Sequence, residues 1–243
     1  YVNLLPFIPG AVGQVAFGKY VSPDYETGEK FIPPVGTRTG TPVVQGVNEV
    51  FFNLYLPSGP RPAGGWPVAI FGDGVGGSKQ GGGGGMGGGA SLALAASLAE
   101  QGIATIAINV VGHGFGPLST LTVTPSVGAP VTFPEGGRSI DQNGDGIIAN
   151  NEGINAAPPR PIIRDRDGQR QTVADLMQLV RVIEVGMDVG GDGLADLDPS
   201  RIYYLGQSLG GIYGTEFMAV EPDVQVGALN VEGALGGNNR LSP

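Results

Sequence analysis

The string Gly-Gln-Ser-Leu-Gly at 206–210 constrains the fold more than any other feature of this chain. The apolar run 202–205 before it predicts a short strand, and the segment 209–220 after it predicts a helix. A serine on such a tight turn projects its hydroxyl above the sheet, and the flanking glycines remove Cβ atoms that would clash there. The helix N-terminus offers free N–H groups where an oxyanion would form. We therefore predict a nucleophilic Ser208; the alternative is a glycine-rich turn that caps a helix with a serine.

The rest of the chain alternates between apolar runs and helical periodicity. Strands are predicted at 48–57, 67–72, 103–111, 202–205 and 226–231, and helices at 90–101, 172–187 and 209–220. This order predicts an α/β fold with a mostly parallel central sheet and helices on both faces. We expect one domain over 1–243, with the polar segment 115–164 as an insertion.

Composition excludes several classes of function. With no cysteine, disulfides, thiolate catalysis and cysteine-ligated zinc are excluded, and the single histidine, His113, excludes a multi-histidine metal centre. The net charge of −9 opposes a nucleic-acid partner, because such binding depends on Lys and Arg displacing counterions. No run of 18 apolar residues is present, so we expect no transmembrane helix.

Two further motifs join the serine string at strand ends. The segment 69–74 (Ala-Ile-Phe-Gly-Asp-Gly) closes one predicted strand, and 111–114 (Val-Gly-His-Gly) follows the next. With them, the chain from about residue 48 to its end resembles the α/β-hydrolase family, in particular bacterial secreted lipases and esterases that carry a calcium-loop insertion. The resemblance implies that Ser208 is the nucleophile. It also implies an oxyanion hole formed by the backbone N–H of Leu209 and one from the loop at Asp73 or Gly74, each donor typically worth about 3 kcal/mol.

The chain departs from this family in three places. Asp73 stands where the family often has histidine, so its carboxylate must point away from a developing oxyanion. The glycine run 81–89, broken only by Met86, is costly in backbone entropy and indicates uncertain or artificial sequence. No histidine follows Ser208, although the family places acid and histidine after the serine. We expect these partners in a C-terminal remainder of a longer protein, since His113 lies where the family often has a structural histidine.

Two acidic segments have the spacing of calcium loops. The segment 141–152 matches the twelve-residue pattern at every defined position. Its predicted ligands are Asp141, Asn143, Asp145, the carbonyl of Ile147, and Glu152. The segment 188–198 is a weaker candidate, with Asp188, Asp192 and Asp196 as ligands and Gly190 where an oxygen ligand would help. We expect structural Ca²⁺ at the first segment, whereas solvated acidic turns are the alternative at both.

These features favour a serine esterase or lipase that cleaves an ester or lipid substrate through an acyl-enzyme on Ser208. One alternative is a non-catalytic, calcium-stabilised surface or binding protein on the same fold; another is a peptidase or polyester depolymerase. The acidic pI, the absence of cysteine and the calcium pattern favour a secreted or cell-envelope location.

Overall fold

The structure is a computed structural model that describes residues 10–37, 40–81, 90–149 and 152–230. Six of its eight strands form one sheet in the order β1-β2-β4-β3-β7-β8. The strands are β1 (Val12–Asp24), β2 (Gly46–Pro57), β3 (Trp66–Gly72), β4 (Ala104–Ile108), β5 (Thr120–Val123), β6 (Val131–Pro134), β7 (Leu197–Gln207) and β8 (Val224–Asn230). The glycine run predicted to be anomalous lies, apart from Gly81, outside the described residues.

Four neighbouring strands of this sheet, β4, β3, β7 and β8, run parallel, while β1 and β2 are antiparallel additions at one edge. The sequence-based fold class, a mostly parallel α/β sheet with helices on both faces, is confirmed. Sequence analysis missed β1, which pairs with β2 from Val12↔Pro57 to Asp24↔Gly46. Much of β1 is exposed, so it lacks the strong apolar alternation of a buried strand.

Three helices cover the two faces of the sheet. Helix α1 (Ala90–Ala99) packs its Leu92 and Ala95 against Tyr55 of β2 on one face. Helices α2 (Arg166–Val185) and α3 (Leu209–Val220) lie on the other face, where Leu179, Ile183 and Phe217 join the main core. The apolar stripe of α2 is the one that its 3.6-residue period predicts, although the helix begins six residues earlier than expected. No helix among the described residues is long and apolar enough to cross a membrane.

The predicted insertion 115–164 lies between β4 and α2 and contains the hairpin β5–β6. Its attachment to the sheet is polar. Lys79, in the loop after β3, donates from Nζ to Oε1 of Glu135 at 2.8 Å, and both side chains are at least 96% buried. Asn109, directly after β4, donates from Nδ2 to the same Oε1 at 2.8 Å. This buried cluster fixes the hairpin against the carboxyl ends of β3 and β4.

Candidate active site

The candidate site lies between β3 and β7, where the order in which successive strands are added to the sheet reverses. From β3 the chain crosses through α1 to β4, whereas from β7 it crosses the opposite face through α3 to β8. Crevices for ligands in open α/β sheets form at such a switch point, outside the carboxyl ends of the two strands. Here these ends carry Asp73 and Gly74 after β3, and Ser208 after β7.

Ser208 occupies the strained turn that the sequence predicts. Its φ of 54° and ψ of −115° are rare for a residue with a side chain, and it separates β7 from α3 directly. A Cβ on Gly206 would lie 2.5 Å from the carbonyl oxygen of Gly210, and a Cβ on Gly210 would overlap the carbonyl of Gly72. Only glycine fits at both positions, so close packing on each side keeps Ser208 in its strained backbone conformation.

Two buried tyrosines support this turn, and sequence analysis did not assign them that role. Tyr204 donates from its hydroxyl to the carbonyl of Gly210 at 2.6 Å and is fully buried. Tyr213, on the first turns of α3, donates to the carbonyl of Asp73 at 3.4 Å. The turn and the loop after β3 are therefore tied to one tyrosine pair. Two tyrosines nine residues apart, one on a strand and one on a helix, carry no sequence signal for such a pairing.

Ser208 is half-buried, and its side chain makes no capping hydrogen bond to α3. Its backbone N–H donates to the carbonyl of Asn230 at the end of β8, at 2.9 Å. Leu209 is the first residue of α3, where an N–H has no intrahelical acceptor. One of the two predicted oxyanion donors is thus positioned beside the serine by the helix itself.

The second predicted donor is engaged elsewhere. Gly74 lies against the serine, because a Cβ on it would be 3.3 Å from Ser208 Cβ and 3.7 Å from Oγ. Its N–H, however, donates to Oδ1 of the preceding Asp73 at 2.7 Å. The Asp73 carboxyl therefore folds back on its own loop, as expected for a carboxylate near a developing oxyanion. Its Oδ1 accepts the N–H of Gly74, so this N–H is already engaged. The role of Gly74 in an oxyanion hole stays a prediction.

Asp73 and His113 line the same small cavity, of about 10 Å³, together with Tyr213. That volume is about the space of one water molecule. Burial raises the pKa of the Asp73 carboxyl, and the amides of Gly74 and Ser78 oppose this shift. Asp73 Oδ2 and His113 Nε2 are both buried and make no hydrogen bond within the described part of the chain.

His113 is buried, and one of its ring nitrogens contacts the backbone of its own loop. It is 1% exposed, and its Nδ1 lies 2.9 Å from the carbonyl oxygen of Val111. Burial lowers the pKa of this imidazole, and the Val111 contact opposes that shift. The structural role that the family resemblance implies for His113 stays a prediction.

Two of the acids that follow Ser208 are held in ion pairs, and a third is half-buried. Arg181 on α2 pairs with Glu221 at 2.5 Å and with Asp223 at 3.1 Å. Glu216 is half-buried, and burial raises the pKa of its carboxyl. The remaining acid, Glu232, lies outside the described residues.

Within the 141–152 segment, the described residues 141–149 form an exposed turn, and polar side chains of the segment bind its backbone. Asp141 accepts the N–H groups of Gly144, Asp145 and Gly146 at 2.8 to 3.1 Å. Glu152 accepts three more backbone N–H groups, from Gln142, Asn143 and Ala149 at 2.8 to 3.0 Å. Among the described residues, no group of three or more His, Cys, Asp or Glu side chains is arranged to hold a metal ion. Carboxylate oxygens keep further acceptor capacity in such turns, so the donor chemistry still suits calcium.

The 188–198 segment forms a similar turn, but two of its carboxylates pair with an arginine. Asp188 accepts the N–H groups of Gly191, Asp192 and Gly193 at 2.6 to 3.1 Å. The carboxylates of Asp192 and Asp196 instead face Arg61, at 2.9 and 3.2 Å. The three predicted ligands are therefore divided between backbone amides and a guanidinium.

Comparison with known proteins finds structural neighbours alone. No family model matches the chain, and no curated protein matches it by sequence. A putative dienelactone hydrolase from Klebsiella pneumoniae is 15% identical with a TM-score of 0.47, over 92% of this chain and 62% of that one. A cold-adapted esterase from an Arctic intertidal metagenomic library is 15% identical with a TM-score of 0.44, over 75% and 55%. An acetyl xylan esterase from Paenibacillus sp. R4 is 17% identical with a TM-score of 0.44, over 74% and 43%.

The chain spans about half the length of the solved structures that it matches. At these identities and TM-scores, the similarity assigns no residue and no reaction to it. The sheet order of the chain itself shows a mostly parallel α/β fold, with a serine on a strained turn between β7 and α3.

Proposed function

We propose that the chain carries the nucleophile half of a serine hydrolase that cleaves carboxylic esters, with Ser208 as the nucleophile. The observation that carries this proposal is the backbone of Ser208 itself, at φ 54° between a buried strand and a helix N-terminus. Strain of this size persists only where surrounding packing imposes it, and it is concentrated at functional sites. A turn that merely capped a helix would not need it.

The chemistry follows from what surrounds the serine. Attack of Ser208 Oγ on an ester carbonyl forms a C–O bond and places negative charge on the carbonyl oxygen. The Leu209 N–H and the positive end of α3 stabilise that charge. Collapse of the tetrahedral intermediate expels the alcohol and leaves an acyl-serine, which water then hydrolyses.

The proton from Ser208 needs a base, usually a histidine, and the sequence of this chain contains one histidine. Its only histidine, His113, is buried and directed at the carbonyl of Val111. We therefore propose that the acid and histidine of the triad come from a remainder of the same protein outside these 243 residues. An ester or lipid substrate remains the proposed class, with the acyl group undefined.

A fluorophosphonate probe on the full-length protein tests this function. The unmodified protein is expected to be labelled at Ser208, and Ser208→Ala should lose labelling and at least ~10⁴-fold in ester hydrolysis. Ser97→Ala is the matched control, because Ser97 is exposed on α1 and bonds only the carbonyl of Ala93. Failure of the unmodified full-length protein to react would overturn the proposal and favour a non-catalytic binding protein on the same fold.

We also propose that the 141–152 turn binds structural calcium in this protein. The support is its oxygen set, with side chains at Asp141, Asn143, Asp145 and Glu152 and the carbonyl of Ile147 in the order that calcium loops use. Exposure of this turn leaves it without a core of its own, so an ion would fix its shape. A secreted or cell-envelope protein, as the composition favours, meets enough calcium for such a site.

A further inference from the structure

The 188–199 segment has the backbone of a calcium loop. Counting Asp188 as position 1, its carboxylate accepts the N–H groups of positions 4, 5 and 6, and Asp192 at position 5 accepts the N–H of Leu194 at position 7. Gly191 and Gly193 take positive φ values of 72° and 81°. The same hydrogen bonds and the same two glycine conformations occur at the equivalent positions of 141–152.

The 188–199 loop nevertheless lacks part of the donor set that calcium requires. Position 3 is Gly190 and position 12 is Pro199, so neither supplies a side-chain oxygen. Calcium takes six to eight oxygen ligands, and the bidentate carboxylate at position 12 is central to the set. The residues therefore do not fit a calcium ion well, although the turn is already formed.

Arg61 supplies a positive charge to the remaining ligands. One guanidinium nitrogen lies 3.4 Å from Oδ1 of Asp192, 2.9 Å from the carbonyl oxygen of Leu194 and 3.2 Å from Oδ1 of Asp196. These are positions 5, 7 and 9, all of which face the ion in a calcium loop. The second nitrogen donates to Oδ2 of Asp192 at 2.9 Å, which makes that pair bidentate.

The arginine is built into this place rather than resting on the surface. Its side chain is 20% exposed and comes from the connector between β2 and β3. That connector is packed on the start of β7, because a Cβ on Gly65 would lie 2.5 Å from the carbonyl carbon of Leu197. The N–H of Trp66 also donates to the carbonyl of Asp196 at 2.7 Å. Arg61 therefore approaches the loop from a fixed backbone.

We propose that the Arg61 guanidinium is the resident cation of the 188–199 loop and replaces a metal ion there. The planar fork of arginine can satisfy carboxylate and carbonyl oxygens together, which a loop short of metal ligands needs. The loop is then metal-independent, and it joins the β2–β3 connector to the α2–β7 connector through one side chain. This inference does not depend on the hydrolase function.

Amide hydrogen exchange and calcium titration of the full-length protein by NMR test the proposal. Arg61→Gln should accelerate exchange at Gly191 and Gly193 at least tenfold and lower Tm by about 4 °C. Gly144 and Gly146, in the equivalent turn, serve as reference amides within the same molecule. Arg201→Gln is the matched control, since Arg201 is 44% exposed and pairs with Asp198 at position 11 of the same loop, which is not a ligand position in calcium loops. It should leave all four amides unchanged.

Two further measurements keep the test decisive if Arg61→Gln folds poorly. Arg61→Lys retains the charge but not the fork, so it should give an intermediate exchange rate. In the unmodified protein, 1 mM calcium should not move the Gly191 and Gly193 signals. Equal exchange in the Arg61→Gln and Arg201→Gln proteins, or a calcium-dependent shift of these signals in the unmodified protein, would overturn the proposal.

Discussion

The two acidic turns of this protein have the same local structure and different surroundings. In both, the first aspartate, Asp141 or Asp188, binds three backbone amides in the same register. In the 188–199 turn, Arg61 reaches the other ligand oxygens, whereas the 141–152 turn receives no arginine or lysine among the described residues. The short-range pattern therefore decides the shape of the turn, and a residue from a distant connector decides whether its carboxylates are paired with an arginine.

The two turns also differ in how they are attached to the sheet. Arg61 acts inside its turn, whereas the 141–152 turn belongs to an insertion that the buried Lys79–Glu135 pair helps to attach from outside the turn. One turn contains an ion pair with a distant arginine, and the other belongs to a segment that is attached by an ion pair outside the turn. The experiments below separate these two forms of support.

The largest effect is expected from Glu135→Gln. It leaves the Lys79 ammonium buried without its counter-charge, a change that typically costs about 3–5 kcal/mol. Burial already lowers the pKa of Lys79, and Glu135 opposes that shift, so loss of the carboxylate removes the main support for the charged form. The free energy of unfolding from urea denaturation gives the cost, and limited proteolysis within 115–164 locates it.

The paired substitution Lys79→Met with Glu135→Leu provides the control for that prediction. Replacing both charges by apolar groups of similar size should cost much less than the single change, because no uncompensated charge remains. If the single and double variants are equally destabilised, the buried pair is not what attaches the insertion, and the contrast between the two turns loses its basis.

Sequence alone predicts the candidate site well where its determinants are local. The strained Ser208 turn, its flanking glycines and the helix after it follow from a string of about fifteen residues. The tyrosine support from Tyr204 and Tyr213 does not, because it depends on where β7 and α3 place two side chains across the turn. The capture of the Gly74 amide by Asp73 likewise depends on a side-chain rotamer.

The same distinction applies to the fold. Buried parallel strands such as β3 and β4 are recognisable in the sequence as short apolar runs, and the sequence predicts their positions to within a few residues. The edge strand β1 is half-exposed and contains two glycines, so only its partner β2 defines it as a strand. Arg61 gives no signal of its role, since the residues it binds lie about 131 to 135 positions further along the chain.

An intermediate effect is expected from matched glycine substitutions in the two turns. Gly146 and Gly193 both occupy position 6, with φ of 83° and 81°, and a Cβ on either would meet no atom within 4 Å. Alanine at each position should therefore cost only the left-handed backbone, about 1 to 2 kcal/mol, and nearly the same in both. Urea unfolding of the two single variants measures this. A difference above about 1 kcal/mol would show that the turns are not equivalent.

Removal of calcium should have the smallest effect and should separate the turns most directly. If the 141–152 turn binds calcium with a Kd of about 10⁻⁴ to 10⁻³ M, as extracellular modules do, 1 mM calcium adds about 0.4 to 1.4 kcal/mol. Excess chelator should then lower Tm slightly and make the peptide bonds of 141–152 more susceptible to protease. The 188–199 segment should stay resistant to protease, because Arg61 remains in place. Asp145→Asn should reduce the calcium effect because it removes one ligand charge. An unchanged digestion pattern in chelator would contradict calcium binding at the 141–152 turn. Equal cleavage of both turns would contradict the stabilising role of Arg61 in the 188–199 turn.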